Sequence, residues 1–247
     1  QLCFWALIIF FFYQALTHQK IRDWLLVGLF SAAAILSKYF VVVLFLTMAL
    51  LALTNREARK SFAKPGVYLA LLFFGFLILP HLIWLFHHHF MTVHYMFART
   101  KTYTTWKAHF WNPWHFGVSY LLGFAAPFVV FLVLLFGRKK GVHISERHQL
   151  TRFQWQFLCW MALGPFILVL LLSLITGMSL HLGWGQPLAS FWGVLLLSLT
   201  QPVITWRRFY RFIAFSALIF VVLVVCYTIS METAGSTSSA NYPGKII

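Results

Sequence analysis

Long apolar stretches separated by short polar gaps run along almost the whole chain. Apolar residues dominate positions 2–16, 24–53, 66–86, 114–136, 153–176, 187–204 and 213–229. A helix needs about 20 predominantly apolar residues to cross a membrane core ~30 Å thick. Each stretch therefore predicts a membrane helix, except 24–53, which is too long for one ordinary span and short for two. Ser37-Lys38-Tyr39 sits in its middle. Two short helices, 24–36 and 39–53, meeting near a membrane surface at Lys38 are expected there. One long tilted helix with Lys38 at mid-membrane is the alternative. The pattern predicts an all-α, polytopic transmembrane helix bundle of about seven to eight membrane helices. Pro80 is expected to kink the span at 66–86, and 86–112 reads as a long external loop. Trp111, Trp114 and Tyr120 form an aromatic belt at the start of the next span. In domain terms, residues 1–229 read as one transmembrane domain and 230–247 as the start of an external C-terminal segment.

Composition supports that reading. Of 247 residues, 61% are hydrophobic and 9% charged, with a mean hydropathy of +0.82. Soluble domains carry about 25% charged residues, so much of this surface must face lipid. Cys3, Cys159 and Cys226 lie in apolar runs at no ligand spacing, and are expected as small core residues rather than a disulfide framework. No positively charged stretch precedes the first apolar run, which argues against a signal peptide. The chain is expected to be an internal piece of a longer protein.

The formal charge of +15 is distributed unevenly. Lys20/Arg22, Arg56/Arg59/Lys60/Lys64, Arg138/Lys139/Lys140/Arg147/Arg152 and Arg207/Arg208/Arg211 occupy every second gap and hold fourteen of the nineteen Lys and Arg residues. Basic loops face the cytoplasm, where an anionic leaflet attracts them. No basic face on a soluble element points to nucleic acid. The expected location is the inner (plasma) membrane, with the other gaps facing the periplasm. This count favours two short helices over 24–53, because a single span there would invert everything downstream.

Lys38, Arg99, Lys101, Lys107 and Lys245 stand outside these clusters. An ionisable group within an apolar stretch marks a site or a water-filled cavity; the plainer reading of Lys38 is a helix cap snorkelling to headgroups. The stretch 86–112 carries Arg99, Lys101 and Lys107 with His87, His88, His89, His94 and His109. Arg and Lys bind phosphate oxygens through charge-assisted hydrogen bonds, and nearby aromatics can hold a lipid tail or a sugar face. Non-specific contact with lipid phosphates is the alternative. Adjacent histidines on a helix do not face one another and no Asp or Glu lies in this stretch, so a metal site is not expected from it; His81 and His94 read as packed or hydrogen-bonded. The turn Leu182-Gly183-Trp184-Gly185-Gln186-Pro187 suits irregular backbone lining a cavity, or an ordinary interfacial turn. The four carboxylates are Asp23, Glu57, Glu146 and Glu232. The first three are expected on the cytoplasmic side, leaving no convincing general base beside the cationic loop.

Several of these residues carry a resemblance. The run from Trp24 through Gly28 to Leu36-Ser37-Lys38-Tyr39 resembles a segment of bacterial polyprenyl-phosphate-dependent glycosyltransferases. That superfamily of C-type (GT-C) enzymes includes protein O-mannosyltransferases (glycosyltransferase family 39), the lipid A aminoarabinose transferase and the lipopolysaccharide galacturonic acid transferases. Lys64-Pro65-Gly66-Val67-Tyr68, Pro80-His81-Leu82-Ile83-Trp84, His89-Phe90 and Arg99 are similar to its next span and external loop. Gly183-Trp184-Gly185-Gln186-Pro187 is loosely similar to its H-W-P-x-P turn, and departs from it at the histidine and first proline. Tyr242-Pro243-Gly244-Lys245 is similar to the start of its external C-terminal segment.

The resemblance implies a helix bundle with an external active site that moves a sugar from a polyprenyl-phosphate carrier to a lipid A, lipopolysaccharide or protein hydroxyl. Its catalytic Asp is expected upstream of residue 1; a truncated enzyme and an inactive homologue both fit that absence. The implied donor-phosphate ligands are Lys38, Arg99 and Lys101. Tyr39, His81, Trp84, His94 and Trp184 are expected to shape the substrate cavity. Some relatives use a divalent metal ion, for which this chain supplies no full ligand set. The expected partners are membrane lipid, the sugar donor and the acceptor. A polyprenyl-lipid or small-molecule transporter or flippase is the rival function, and a non-catalytic scaffold a third.

Overall fold

The computed structural model describes residues 1–99, 103, 105–135, 149–202 and 204–233, without the side chains of 96–99, 133, 135 and 231–233. Twelve α-helices are formed among the described residues: α1 (Leu2–His18), α2 (Ile21–Ser37), α3 (Val42–Thr54), α4 (Arg56–Arg59), α5 (Pro65–His87), α6 (Met91–Arg99), α7 (Trp106–Gly123), α8 (Ala125–Leu135), α9 (Arg152–Thr176), α10 (Leu182–Gly185), α11 (Trp192–Thr200) and α12 (Trp206–Thr233). Each expected span has a helical counterpart. Among the described residues four helical stretches are singly long and apolar enough to cross a membrane, and up to six if each bent pair of helices counts as one span. The chain is an all-α polytopic bundle.

Backbone contacts group it into two compact units, Gln1–Gly123 with His148–Leu199 and Phe124–Arg147 with Thr200–Ile247. In the first unit, side-chain pairings fix the direction of each helix. Gln19 adopts a left-handed conformation (φ 56°) that ends α1, and α2 returns beside it: Phe12 meets Trp24 and Phe11 stacks on Phe30. A Cβ on Gly66 would run into the Trp24 ring, and one on Gly28 would lie 2.7 Å from the Ala70 carbonyl oxygen. Tyr39 meets His81. These pairs advance together, so α2 and α5 run parallel.

Between α2 and α3 the helix breaks. Lys38 is extended (φ −167°, ψ 126°) and is followed by a single 3-10 turn, Tyr39–Val41. Phe45 then contacts Phe74. Thr47 lies against Gly164, and Asn55 Nδ2 donates to Gln156 Oε1 at 2.6 Å. Because α3 must return to the end where α4 and α5 begin, the segment doubles back at Lys38. A single 30-residue helix would be about 45 Å long at 1.5 Å per residue, far beyond a ~30 Å core, with an ammonium inside it.

The consequence is that the first unit has two chemically distinct ends. At one lie Lys20, Arg22, the basic residues of α4 and the 3-10 turn Lys60–Ala63, and Arg152 opening α9. Polar contacts tie this end together: Gln19 Nε2 donates to Ser61 Oγ (2.6 Å), and Gln154 Nε2 donates to the Tyr13 phenol oxygen (2.9 Å). Thr151 and Gln154 form a capping box at the start of α9, which satisfies two otherwise unpaired helix N–H groups. Asp23 and Glu57 are also here, paired with Arg22 (3.4 Å) and Lys60 (2.7 Å). Helix α4 with its 3-10 turn bends 95° from the α3 direction, with the Asn55 side chain accepting from the N–H groups of Glu57 and Ala58. The opposite end collects the Lys38 turn, the end of α5, the start of α7 and the α10 turn.

The second unit packs α8 on α12. Arg208, expected in a basic loop, is 6% exposed and donates from Nη1 to the Leu134 carbonyl at 3.5 Å. Residues 138–140 and 147 of the third basic cluster lie outside the described residues, as do Lys245 and the motif at 242–245. Two sequence expectations change. Cys3, Cys159 and Cys226 are exposed on the helix surfaces, because a span is apolar on its lipid face as well as its core face. The expected loop 86–112 contains α6 and the first turns of α7. Helix α5 continues through Pro80 to His87.

The close approach of α2 to α5 generates a paired test. Gly28→Ala must push the helices apart and should cost about 1–3 kcal/mol, read as a lower unfolding midpoint in detergent. Gly75→Ala in α5 meets nothing within 4 Å and should be neutral or slightly stabilising.

Candidate functional site

The end opposite the basic clusters is built on the α2–α3 turn. With Lys38 extended, its side chain leaves the helix direction and Nζ donates to the Gly183 carbonyl at 3.3 Å. An ammonium has three N–H donors, so this one long bond leaves capacity for another acceptor. Among the described residues no carboxylate pairs with it: the ion pairs are Arg22–Asp23 and Lys60–Glu57, both at the other end. Lys38 lies in the turn outside the spanning helices, and its partial burial pushes its pKa below the ordinary lysine value of 10.5 by disfavouring the charged form. An anion bound there would offset that cost.

Tyr39 holds the next layer. Its hydroxyl lies 2.8 Å from His81 Nε2 and 2.8 Å from Thr92 Oγ1, joining the turn to α5 and α6. His81 and Trp84 share one face of α5 through i, i+3 spacing, and His88, the residue that caps the helix, follows Trp84 at i, i+4. His81 stacks on Trp84 at 5.9 Å and Trp84 on His88 at 4.3 Å, and His88 Nδ1 lies 2.8 Å from the Trp84 carbonyl. Beyond them His89 (φ 49°) and Phe90 (φ 55°) are both left-handed, a conformation costing roughly 1–2 kcal/mol for residues with a Cβ. That pair turns the chain from α5 into α6.

On the other side, Trp184 packs against His181 at 5.5 Å, and Gly185 lies against Tyr120 and Phe116, so the short α10 turn is seated on α7. The same end has a cavity of about 660 Å³ lined by residues that include Lys107, Asn112, His115 and Ser179. Asn112 Nδ2 donates to the Gly177 carbonyl (2.8 Å), and His109 Nδ1 lies 2.8 Å from the Leu174 carbonyl. Gly177 is left-handed (φ 68°) and ends α9.

The expected site residues Lys38, Tyr39, His81 and Trp84 are thus neighbours, with the Gly183-Trp184 turn beside Lys38. His94 is exposed on α6, where its backbone N–H bonds the Phe90 carbonyl. Arg99 ends α6, but its side chain and all of Lys101 lie outside the described residues. Thr92 and His181 are members of this end that the sequence does not single out; His88 belongs to the histidine run that it does, and its i, i+4 spacing from Trp84 signals their contact. Among the described residues no three His, Cys, Asp or Glu side chains come together to hold a metal ion. Glu146 and the Glu232 side chain lie outside the described residues.

A family model described as dolichyl-phosphate-mannose-protein mannosyltransferase matches residues 1–84, the segment from α1 into α5 that includes Lys38, Tyr39, His81 and Trp84. No curated protein and no solved structure matches the chain.

The Tyr39 hydroxyl ties α6 to the turn, so Tyr39→Phe should loosen α6 selectively. Amide exchange of Met91–Arg99 should accelerate severalfold, while the central turns of α9 keep their protection.

Proposed function

We propose that the chain is part of a membrane glycosyltransferase that takes a sugar from a polyprenyl-phosphate donor at the Lys38 end of the first unit. The observation that carries this reading is a lysine that has, among the described residues, no carboxylate partner, at an end whose other described side chains include imidazole, indole and phenol groups. The family match over residues 1–84 supports the transferase class. In the proposed orientation the basic clusters face the cytoplasm, and the site opens to the periplasm from the inner membrane. The acceptor is a hydroxyl of lipid A, lipopolysaccharide or protein.

Chemically, the acceptor oxygen attacks the anomeric carbon as the bond from that carbon to the carrier phosphate breaks. The bonding electron pair leaves on the phosphate, and the acceptor proton passes to a general-base carboxylate. Lys38, with Arg99 and Lys101, stabilises the negative charge growing on the leaving phosphate. Tyr39 and His81 orient the turn that carries Lys38. Trp84 and Trp184 offer flat faces to the sugar, and His94 contributes at the rim. The segment 230–247 begins an external C-terminal region.

The decisive experiment is sugar transfer by the full-length parent protein in membranes. Lys38→Ala should lower transfer by about a hundredfold or more with expression unchanged, and Arg99→Ala should also impair it. Undiminished transfer in both would remove the assigned roles. A lipid-phosphate flippase would instead move its cargo across vesicles without cleaving a glycosidic bond.

A second outcome concerns pH. The charged form of Lys38 binds phosphate, so binding is full well below its pKa and fades as pH rises through it. Because that pKa is lowered, donor binding should weaken at a lower pH than an ordinary lysine would dictate. A Lys38→Arg variant that still binds should lack this alkaline loss.

A further inference from the structure

At the basic end, the first unit contains an apolar cavity of about 320 Å³, within the size range of small-ligand sites. Small residues on three helices make the space: Gly28 on α2, Ala49 and Ala52 on α3, and Ala70 on α5. The contacting Phe45 and Phe74 rings line its deep end. Its floor is the bent element after α3, contributed by Ala58, Ser61 and Phe62. That floor is fixed in place, because Gln19 holds Ser61 and the Tyr68 hydroxyl donates to the Phe62 carbonyl at 2.9 Å.

Three observations say what covers this space. The cavity lies among membrane-spanning helices, and its lining residues Leu71 (61% exposed) and Phe62 (40%) reach the outer surface, where lipid is the solvent. The floor element turns 95° away from α3, as an element lying along the headgroup layer does. It carries Arg59 and, one residue past its end, Lys64, both exposed and, among the described residues, without a carboxylate partner. Finally, Trp24 lines the cavity at 4% exposure, which sets an indole, a side chain favoured at the membrane interface, at the depth of the lipid ester groups.

We propose that this cavity binds one anionic phospholipid of the leaflet at the basic end, with an acyl chain among α2, α3 and α5 and its phosphate on Arg59 and Lys64. Lipid at this position wedges α3 from α5 and fixes the bent element against the bundle. The site is independent of the transfer reaction, being at the opposite end from Lys38.

Native mass spectrometry of the full chain, with dioleoylphosphatidylglycerol and dioleoylphosphatidylcholine supplied in equal amounts, tests it. The wild-type chain should retain one phosphatidylglycerol, preferred by roughly tenfold or more. Arg59→Gln with Lys64→Gln, both surface changes, should abolish the preference. Ala49→Phe, at an exposed position of the lining, should abolish retention of either lipid. Equal retention of the two lipids by the wild-type chain, or unchanged selective retention in both variants, would overturn the proposal. So would preferential retention of added undecaprenyl phosphate that Ala49→Phe removes, since the cavity would then belong to the donor's tail.

Discussion

Moving an ammonium group into hydrocarbon is the expense around which the first unit is organised. Lys38 stands in an apolar stretch long enough to carry it to mid-membrane, and the chain avoids that cost by ending one helix and reversing. Once α3 returns, α5 must start at the end where α2 started. The two then run parallel, close enough that Gly28 meets the α5 backbone. Parallel packing brings Tyr39 to His81 at one end and Trp24 to Gly66 at the other. The polarity of the unit follows from that reversal, with paired carboxylates and basic clusters at one end and a lysine among aromatic and imidazole groups at the other.

The two ends differ in how their charges are satisfied. Asp23 and Glu57 have cationic neighbours, and a surplus of Lys and Arg remains for an anionic leaflet. At the Lys38 end the only described partner of the ammonium is a backbone carbonyl 3.3 Å away. Partial burial disfavours the free ammonium, so a phosphate partner there offsets a cost that the exposed clusters do not carry. This is the physical content of the donor-phosphate proposal, and it rests on the lysine rather than on the histidine run. His89 takes a left-handed turn, and His88 packs on Trp84.

Much of the architecture is legible in the sequence because charge and length constrain it jointly. The alternation of basic gaps requires an even number of crossings between the Lys20/Arg22 cluster and the cluster that begins at Arg56, which only a reversal within 24–53 provides. The faces of the helices are not legible. In lipid, residues facing inward and outward are both apolar, so nothing in the sequence tells Cys159 on the surface from Met161 in the core. The stretch 86–112 misleads for a different reason. Its histidines and cations suggest a loop, but local hydrogen bonding makes α6 and starts α7 within it. Of the residues gathered at the Lys38 end, Lys38 is found because an ionisable side chain among aliphatics stands out, and Tyr39, His81 and Trp84 are found through the family resemblance. Thr92 and the Gly183 carbonyl are not, since a hydroxyl on a surface helix and a backbone oxygen carry no sequence signal.

The reversal at Lys38 is open to direct measurement. In the protein with its native cysteines replaced, single cysteines at positions 38, 183 and 60 can be labelled in sealed membranes with a thiol reagent that cannot cross the bilayer. A reversal at Lys38 makes 38 and 183 react from one side and 60 from the other. Labelling of 38 and 60 from the same side would contradict it.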